Sequence, residues 1–188
     1  MTKPRRTARL VWHYTHADAF QKIMASGVIA CTDPIFLGIG EQPVAWFTTN
    51  QFWEETVRKV YKADNSPLGM TQMLEAGIDL YRIGVEPGSA PLTWDEIVEQ
   101  AHIARKAAHA MRSVGKRWGA KPSEWRGSLT PVPRERWLAV QTYDRSKRAW
   151  VRCDSFNAQD TQEIAEEAQQ RRSASHDAAL ANTKRDAA

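Results

Sequence analysis

Residues 10–27, LVWHYTHADAFQKIMASG, constrain the fold more tightly than any other stretch. Leu10-Val11-Trp12-His13-Tyr14 is apolar and aromatic, as a short buried strand is. Thr15 then stands where a helix N-cap belongs. Asp18, three places on, approximates a capping box with Asp in place of the usual Glu or Gln. Ala17, Phe20, Ile23 and Met24 fall on one helical face, and Gly27 supplies the C-terminal stop. His13 is therefore expected at a strand end just before a helix N-terminus, a partly exposed, electropositive position that suits an anion. The competing reading of His13 is a histidine hydrogen-bonded inside the core.

The remaining pattern alternates short strands with helices. Residues 28–31 are a short apolar run. Residues 33–43 hold Pro34, Gly38, Gly40 and Pro43 and read as a loop, of a length that is often functional. Val44 to Thr49 is β-branched and aromatic, which predicts a buried strand. Asn50 can cap a following helix whose Trp53, Val57, Val60 and Tyr61 share a face, broken at 65–69. Residues 78–85 alternate as a half-buried strand. Thr93-Trp94-Asp95-Glu96 is a full capping box and predicts the longest helix, with Ile97, Val98, Ala101, Ala104, Ala108, Met111 and Val114 in helical period. Gly115, Gly119 and Pro122 end it. Residues 137–143 form a strong strand, 144–148 a polar turn, and 149–151 the returning arm of a hairpin. This mixed order with late hairpins predicts an α+β fold.

Composition sets the outer limits. A chain of 188 residues fits one domain and needs no disulfide staples. Cys31 and Cys153 are isolated, which points to a reducing, cytoplasmic setting. The basic start runs into a strand rather than a signal core, and no apolar run is long enough to span a bilayer. Residues 154–188 carry seven acidic and four basic side chains, so the rest of a chain with total charge +4 carries +7. A basic body fits a nucleic acid or dinucleotide partner, or simply keeps a domain soluble. All eight tryptophans lie at or before Trp150. That shift divides the chain into a packed domain, 1–153, and a polar tail, 154–188, helical in its first half and disordered beyond.

Several common catalytic signatures are missing. There is no GxGxxG, no GxxxxGK[ST], no HExxH, no paired CxxC and no GxSxG. No metal is therefore expected. His102 and His109, seven apart on the long predicted helix, read as helix-surface residues. Trp53, Trp94 and Trp118 read as core or helix-end packing.

Three segments carry a resemblance. Trp12-His13-Tyr14-Thr15 through Ile23 to Gly27-Val28-Ile29 resembles the N-terminal motif of ADP-ribosyltransferase-like folds, closest to the DarT-type nucleic-acid ADP-ribosyltransferases. Ser123-Glu124-Trp125, with Val132-Pro133 and the strand from Trp137, resembles that family's glutamate segment. Trp46-Phe47-Thr48-Thr49 is similar to the middle strand that lines the nicotinamide pocket in the wider superfamily. The likeness covers about residues 9–143. It implies an α+β domain with a split mixed or antiparallel sheet flanked by helices, and a mono-ADP-ribosyltransferase that uses NAD as co-substrate. The acceptor would be a macromolecule, nucleic acid favoured over protein, with no membrane involved. A toxin, a phage-encoded modifier or a defence effector would suit so small a form.

The implied chemistry breaks the nicotinamide–ribose bond through an oxocarbenium-like transition state, which a carboxylate stabilises. By resemblance Glu124 supplies that carboxylate. Its alternative is a solvated loop glutamate, and Glu135 is the rival carboxylate. His13 would hydrogen-bond a ribose hydroxyl, and Thr15 would hold the loop or reach a ribose or phosphate. Trp46 or Phe47 could stack on nicotinamide or simply fill the core. Thr48 and Thr49 lie at the strand end beside that pocket. Tyr14, by alternation, points away from His13 into the core. Two other functions fit the same residues. One is an RNA 2′-phosphotransferase-type enzyme of the same superfamily holding its substrate through Arg82 and Arg126. The other is a non-catalytic module that binds nucleic acid by charge and stacking.

Overall fold

The computed structural model describes residues 9–60 and 66–153. The expectations placed on Tyr61, on Asn65 and on the 154–188 tail lie outside them.

The fold is α+β, with eleven strands and four α-helices among the described residues. Its core is a seven-stranded sheet in the order β11-β10-β6-β1-β3-β8-β7. The strands are β1 (Val11–His16), β3 (Ala45–Thr48), β6 (Leu80–Val85), β7 (Leu92–Thr93), β8 (Trp125–Ser128), β10 (Trp137–Asp144) and β11 (Ala149–Arg152). Every described neighbour pair runs antiparallel, so no mixed pairing occurs among them. Two small sheets pair β2 (Val28–Ile29) with β9 (Val132–Pro133), and β4 (Lys59–Val60) with β5 (Pro67–Leu68). The helices are α1 (Ala17–Ser26), α2 (Met70–Glu75), α3 (Trp94–Gln100) and α4 (Arg105–Arg117).

β1 is the pivot of the sheet. It pairs with β6 along its whole length, from Val11–Val85 to His16–Leu80. It meets β3 through one register pair only, Trp12–Thr48. Beyond that pair the two strands part, and the sheet is split there.

Alternation along β1 sorts its side chains. Trp12 and Tyr14 pack with Trp53, Met73 and Leu80. The Trp12 ring lies over Gly84, where an added Cβ would come 2.7 Å from it. On the other face α1 is seated by Phe20, whose ring stacks on Tyr81 at 3.9 Å. A second cluster joins Val44, Ile97 and Ala101, and a third joins Trp94, Ala120 and Trp125.

Four local expectations are corrected. β1 continues through Thr15, so the N-cap is His16, and no side chain caps α1. Residues 50–58 form turns, not a helix, leading into β4. Asn50 does cap locally, its Oδ1 accepting from the amides of Phe52 (2.9 Å) and Trp53 (3.3 Å). A short helix, α2, follows the break at 66–69. The long helix is two: the Thr93–Glu96 capping box opens α3, but residues 101–104 separate it from α4, with His102 at φ 55°. His102 thus lies in the break, not on a helix surface. By contrast Gly27 ends α1 in the left-handed conformation as expected, at φ 67°.

Candidate functional site

Where β1 and β3 part, backbone polar groups lose their ladder partners and need others. His13 supplies one. Its Nδ1 lies 2.8 Å from the carbonyl oxygen of Trp46, bridging the split with a side chain. A carbonyl can only accept, so Nδ1 carries the proton and Nε2 is left as an acceptor. Nε2 has no partner among the described residues. Burial holds the His13 pKa below its ordinary value, partly offset by the Trp46 bond, so the ring is neutral at pH 7. Phe47 meets the imidazole edge-on at 5.7 Å.

The split opens into a cleft of about 330 Å³, at the small end of the range for small-molecule sites. Strand β1 contributes Trp12, His13 and Tyr14, and β3 contributes Trp46, Phe47 and Thr48. The opposite wall is α4, through Met111, Val114 and Gly115, followed by Trp118 at its C-cap. Gly115 is needed here, because a Cβ would come 2.6 Å from the Trp125 ring that also lines the cleft.

Of the sequence-predicted residues, His13, Trp46, Phe47 and Thr48 come together on this cleft. Trp46 also donates from Nε1 to Thr32 Oγ1 at 3.1 Å, and Thr48 is buried with its Oγ1 accepting from the Asn50 amide. Three others lie outside the lining. Thr15 is buried opposite Tyr81 in the β1–β6 ladder. Thr49 is bonded from both its amide (2.8 Å) and its hydroxyl (3.3 Å) to the Glu124 carbonyl. The Glu124 carboxylate accepts from Asn50 Nδ2 at 3.1 Å and pairs with Lys121 at 3.6 Å. It sits one residue before Trp125, a lining residue. Glu135 is half-buried on the turn between β9 and β10.

The cleft's own carboxylate is Glu54, which the sequence reading passed over. It is 7 % exposed. Its Oε1 accepts from Trp125 Nε1 (3.1 Å), the Thr56 amide (3.2 Å) and Thr56 Oγ1 (2.9 Å). Its neighbour Glu55 is more exposed and pairs with Arg58. Nothing in the residue types marks one of this adjacent pair as buried.

The segment carrying Glu54 is held from the sheet. Tyr14 OH donates to the Asn50 carbonyl (2.9 Å), Arg82 Nη1 to the Gln51 carbonyl, and Trp150 Nε1 to the Phe52 carbonyl (2.6 Å). Arg82 is buried, with its guanidinium 3.9 Å from the Trp12 ring and its Nε donating to Gln141 Oε1 at 2.7 Å. Arg126 donates to the carbonyls of Ser123 and Trp125. Arg82 is thus engaged on Tyr14, Gln51 and Gln141, whereas half-buried Arg126 makes both of these bonds through Nη1.

Beside the cleft, the outer face of α4 is basic. Residues 100–123 contain no Asp or Glu, and hold Arg105, Lys106, Arg112, Lys116, Arg117 and Lys121. On the helix Arg105, Arg112 and Lys116 lie on the face opposite Met111, Val114 and Trp118, with Lys106 and Arg117 at its flank. Arg112 pairs with Asp95 at 2.9 Å, whereas Arg105, Lys106, Lys116 and Arg117 have no acidic partner among the described residues. No group of residues suited to a metal ion occurs among the described residues, and no described helix is long and apolar enough to cross a membrane.

Compared with protein-family models, curated proteins and solved structures, the chain matches none.

Proposed function

We propose that this protein is a cytoplasmic NAD-dependent mono-ADP-ribosyltransferase that modifies a macromolecule, with nucleic acid as the favoured acceptor. The observation that carries the reading is the split between β1 and β3. It gathers His13, named from the resemblance to DarT-type enzymes, and Trp46, Phe47 and Thr48, named from the likeness to the wider superfamily's middle strand, around one aromatic cleft. In this reading the free Nε2 of neutral His13 accepts from a ribose hydroxyl, and an aromatic wall receives the nicotinamide ring. Glu124, next in the chain to Trp125, stabilises the oxocarbenium-like charge as the glycosidic bond breaks. Thr15 and Thr49 support the two strand ends.

The α4 cations with no acidic partner among the described residues support a nucleic-acid acceptor, because they present positive charge beside the cleft. The same feature favours a second reading, a module that binds nucleic acid without chemistry.

NAD turnover separates the two. Purified wild type and Glu124→Ala, each shown to be folded, are incubated with NAD alone and with DNA, RNA or cell lysate. Nicotinamide release by wild type, lost in the variant, is the expected result. Absence of both release and NAD binding under every condition sinks the transferase reading and leaves the binding module.

A further inference from the structure

We infer that the cleft binds a planar aromatic cation, with Glu54 as its counter-ion. The inference deepens the reading of the cleft as an NAD site, and rests on it only for which natural cation is bound.

The charge inventory of the cleft points to a cation. Its lining includes no Lys or Arg, and Glu54 is its sole carboxylate. Glu54 makes no ion pair among the described residues, and all its hydrogen bonds fall on Oε1. Oε2 has no partner among the described residues and is not one of their fully enclosed, unsatisfied atoms, on a residue only 7 % exposed. A carboxylate oxygen in so apolar a wall interacts more strongly with a cation than it would in bulk water, because the local dielectric is lower. His13 does not supply that cation, since burial keeps it neutral. Arg58 stacks over Trp118 at 4.6 Å but pairs with Glu55, and Arg82 spends its donors on Tyr14, Gln51 and Gln141.

The rest of the wall suits the same ligand. Trp46, Phe47, Trp118 and Trp125 are all aromatic residues of the lining. Aromatic faces are electron-rich and attract cations, most strongly where water is excluded. A flat ring with delocalised positive charge gains from stacking and from the carboxylate together. A neutral ring of the same shape gains from stacking alone, and an anion is repelled. The cleft volume of about 330 Å³ suits one substituted ring system. The three donors on Oε1 fix the orientation of the carboxylate before a ligand arrives, which limits the ordering required on binding.

The test compares two probes that share a ring and differ in charge, 1-methylnicotinamide (cationic) and nicotinamide (neutral), titrated calorimetrically into the full chain. The cation is expected to bind at least tenfold more tightly. In Glu54→Gln, which keeps an acceptor for Trp125 and Thr56, the two affinities should fall within threefold of each other. Val114→Trp, which fills the cleft, should abolish both. Equal affinity of the two probes for wild type, or no binding of the cation, overturns the inference without recourse to any variant. So does a cation preference that persists in folded Glu54→Gln, or binding that survives Val114→Trp.

NAD turnover run in parallel keeps the two readings apart. Cation binding that depends on Glu54, without turnover, sinks the transferase alone. Turnover that is indifferent to Glu54→Gln, with no cation preference, sinks the counter-ion alone.

Discussion

Tyr14 shows how the hydroxyl of one lining residue can hold a site together. Its OH donates to the Asn50 carbonyl and accepts from Arg82 Nη1 at 3.1 Å, while its ring packs on Trp53 and Trp150. Burial pushes its pKa up to about 12, so it stays a neutral donor throughout the physiological range. Tyr14→Phe keeps the packing and leaves the Asn50 carbonyl without its donor. It should destabilise the protein by about 1–3 kcal/mol in urea titration.

The histidines of β1 predict a pH dependence. Burial lowers the pKa of both His13 and His16 from about 6.5; at His16 the Lys59 charge adds to the effect. As pH falls through about 6.5 the unfolded chain takes up these protons before the folded chain does. The stabilising contribution is therefore fully present above that pH and is lost below it. Unfolding free energy measured by urea titration should decline from pH 7 towards pH 5, and the decline should be shallower in a His13→Asn/His16→Asn variant. A pH-independent wild-type curve would contradict the buried, neutral assignment.

Among the elements, the two that depart from their periodicity do so for identifiable reasons. Trp53, Val57 and Val60 have helical spacing, yet the carbonyls of Asn50, Gln51 and Phe52 are taken by Tyr14, Arg82 and Trp150. A carbonyl bonded across the sheet stands in place of an i to i+4 bond, and three consecutive captures outweigh a weak local preference. The helix expected from 94 to 114 breaks because Ala101 caps α3 and His102 turns left-handed. The Gln42 amide bonds the Ala101 carbonyl at 2.8 Å, and Glu41 Oε1 accepts from the Ala104 amide at 3.2 Å, so the 33–43 loop secures the break. A non-glycine residue at φ 55° is strained. His102→Gly should relieve this and raise stability by about 0.5–1 kcal/mol in chemical denaturation; a loss would mean that the exposed imidazole makes a compensating contact.

The sheet interior predicts the opposite effect for a different glycine. Gly84 is central in β6 and covered by Trp12 and Leu10, with the Trp12 ring 2.7 Å from where a Cβ would sit. Gly84→Ala should cost about 1–3 kcal/mol, because the ring that must move also carries the Arg82 stack. A neutral outcome by thermal melting would show that β1 and β6 can slide apart at this point.

For the whole molecule, the described hydrophobic clusters lie between Leu10 and Trp150. Deleting residues 161–188 should shift the melting temperature by no more than about 2 °C, because that segment offers little apolar surface to bury. A larger drop would show that the tail packs on the domain.

Much of this architecture is legible along the chain. The strands at 10–14, 44–49, 78–85 and 137–143 were readable from apolar and β-branched runs, and the Gly27 stop and the Thr93–Glu96 box from local hydrogen-bonding chemistry. These signals survive because they depend on neighbours a few residues away. The order of strands in the sheet, the single Trp12–Thr48 contact and the cleft it opens depend on residues 36 to 83 positions apart. Glu54 makes the same point at the site. In sequence it is one of two adjacent glutamates, and only the capture of the Asn50–Phe52 carbonyls by Tyr14, Arg82 and Trp150 turns it inward beside Trp125 while Glu55 pairs with Arg58. Local sequence determined which segments could be strands, caps and stops, because those preferences are set by short-range sterics and hydrogen bonds. Tertiary structure decided which side chains share a cleft, because burial and charge are properties of what the whole chain brings together.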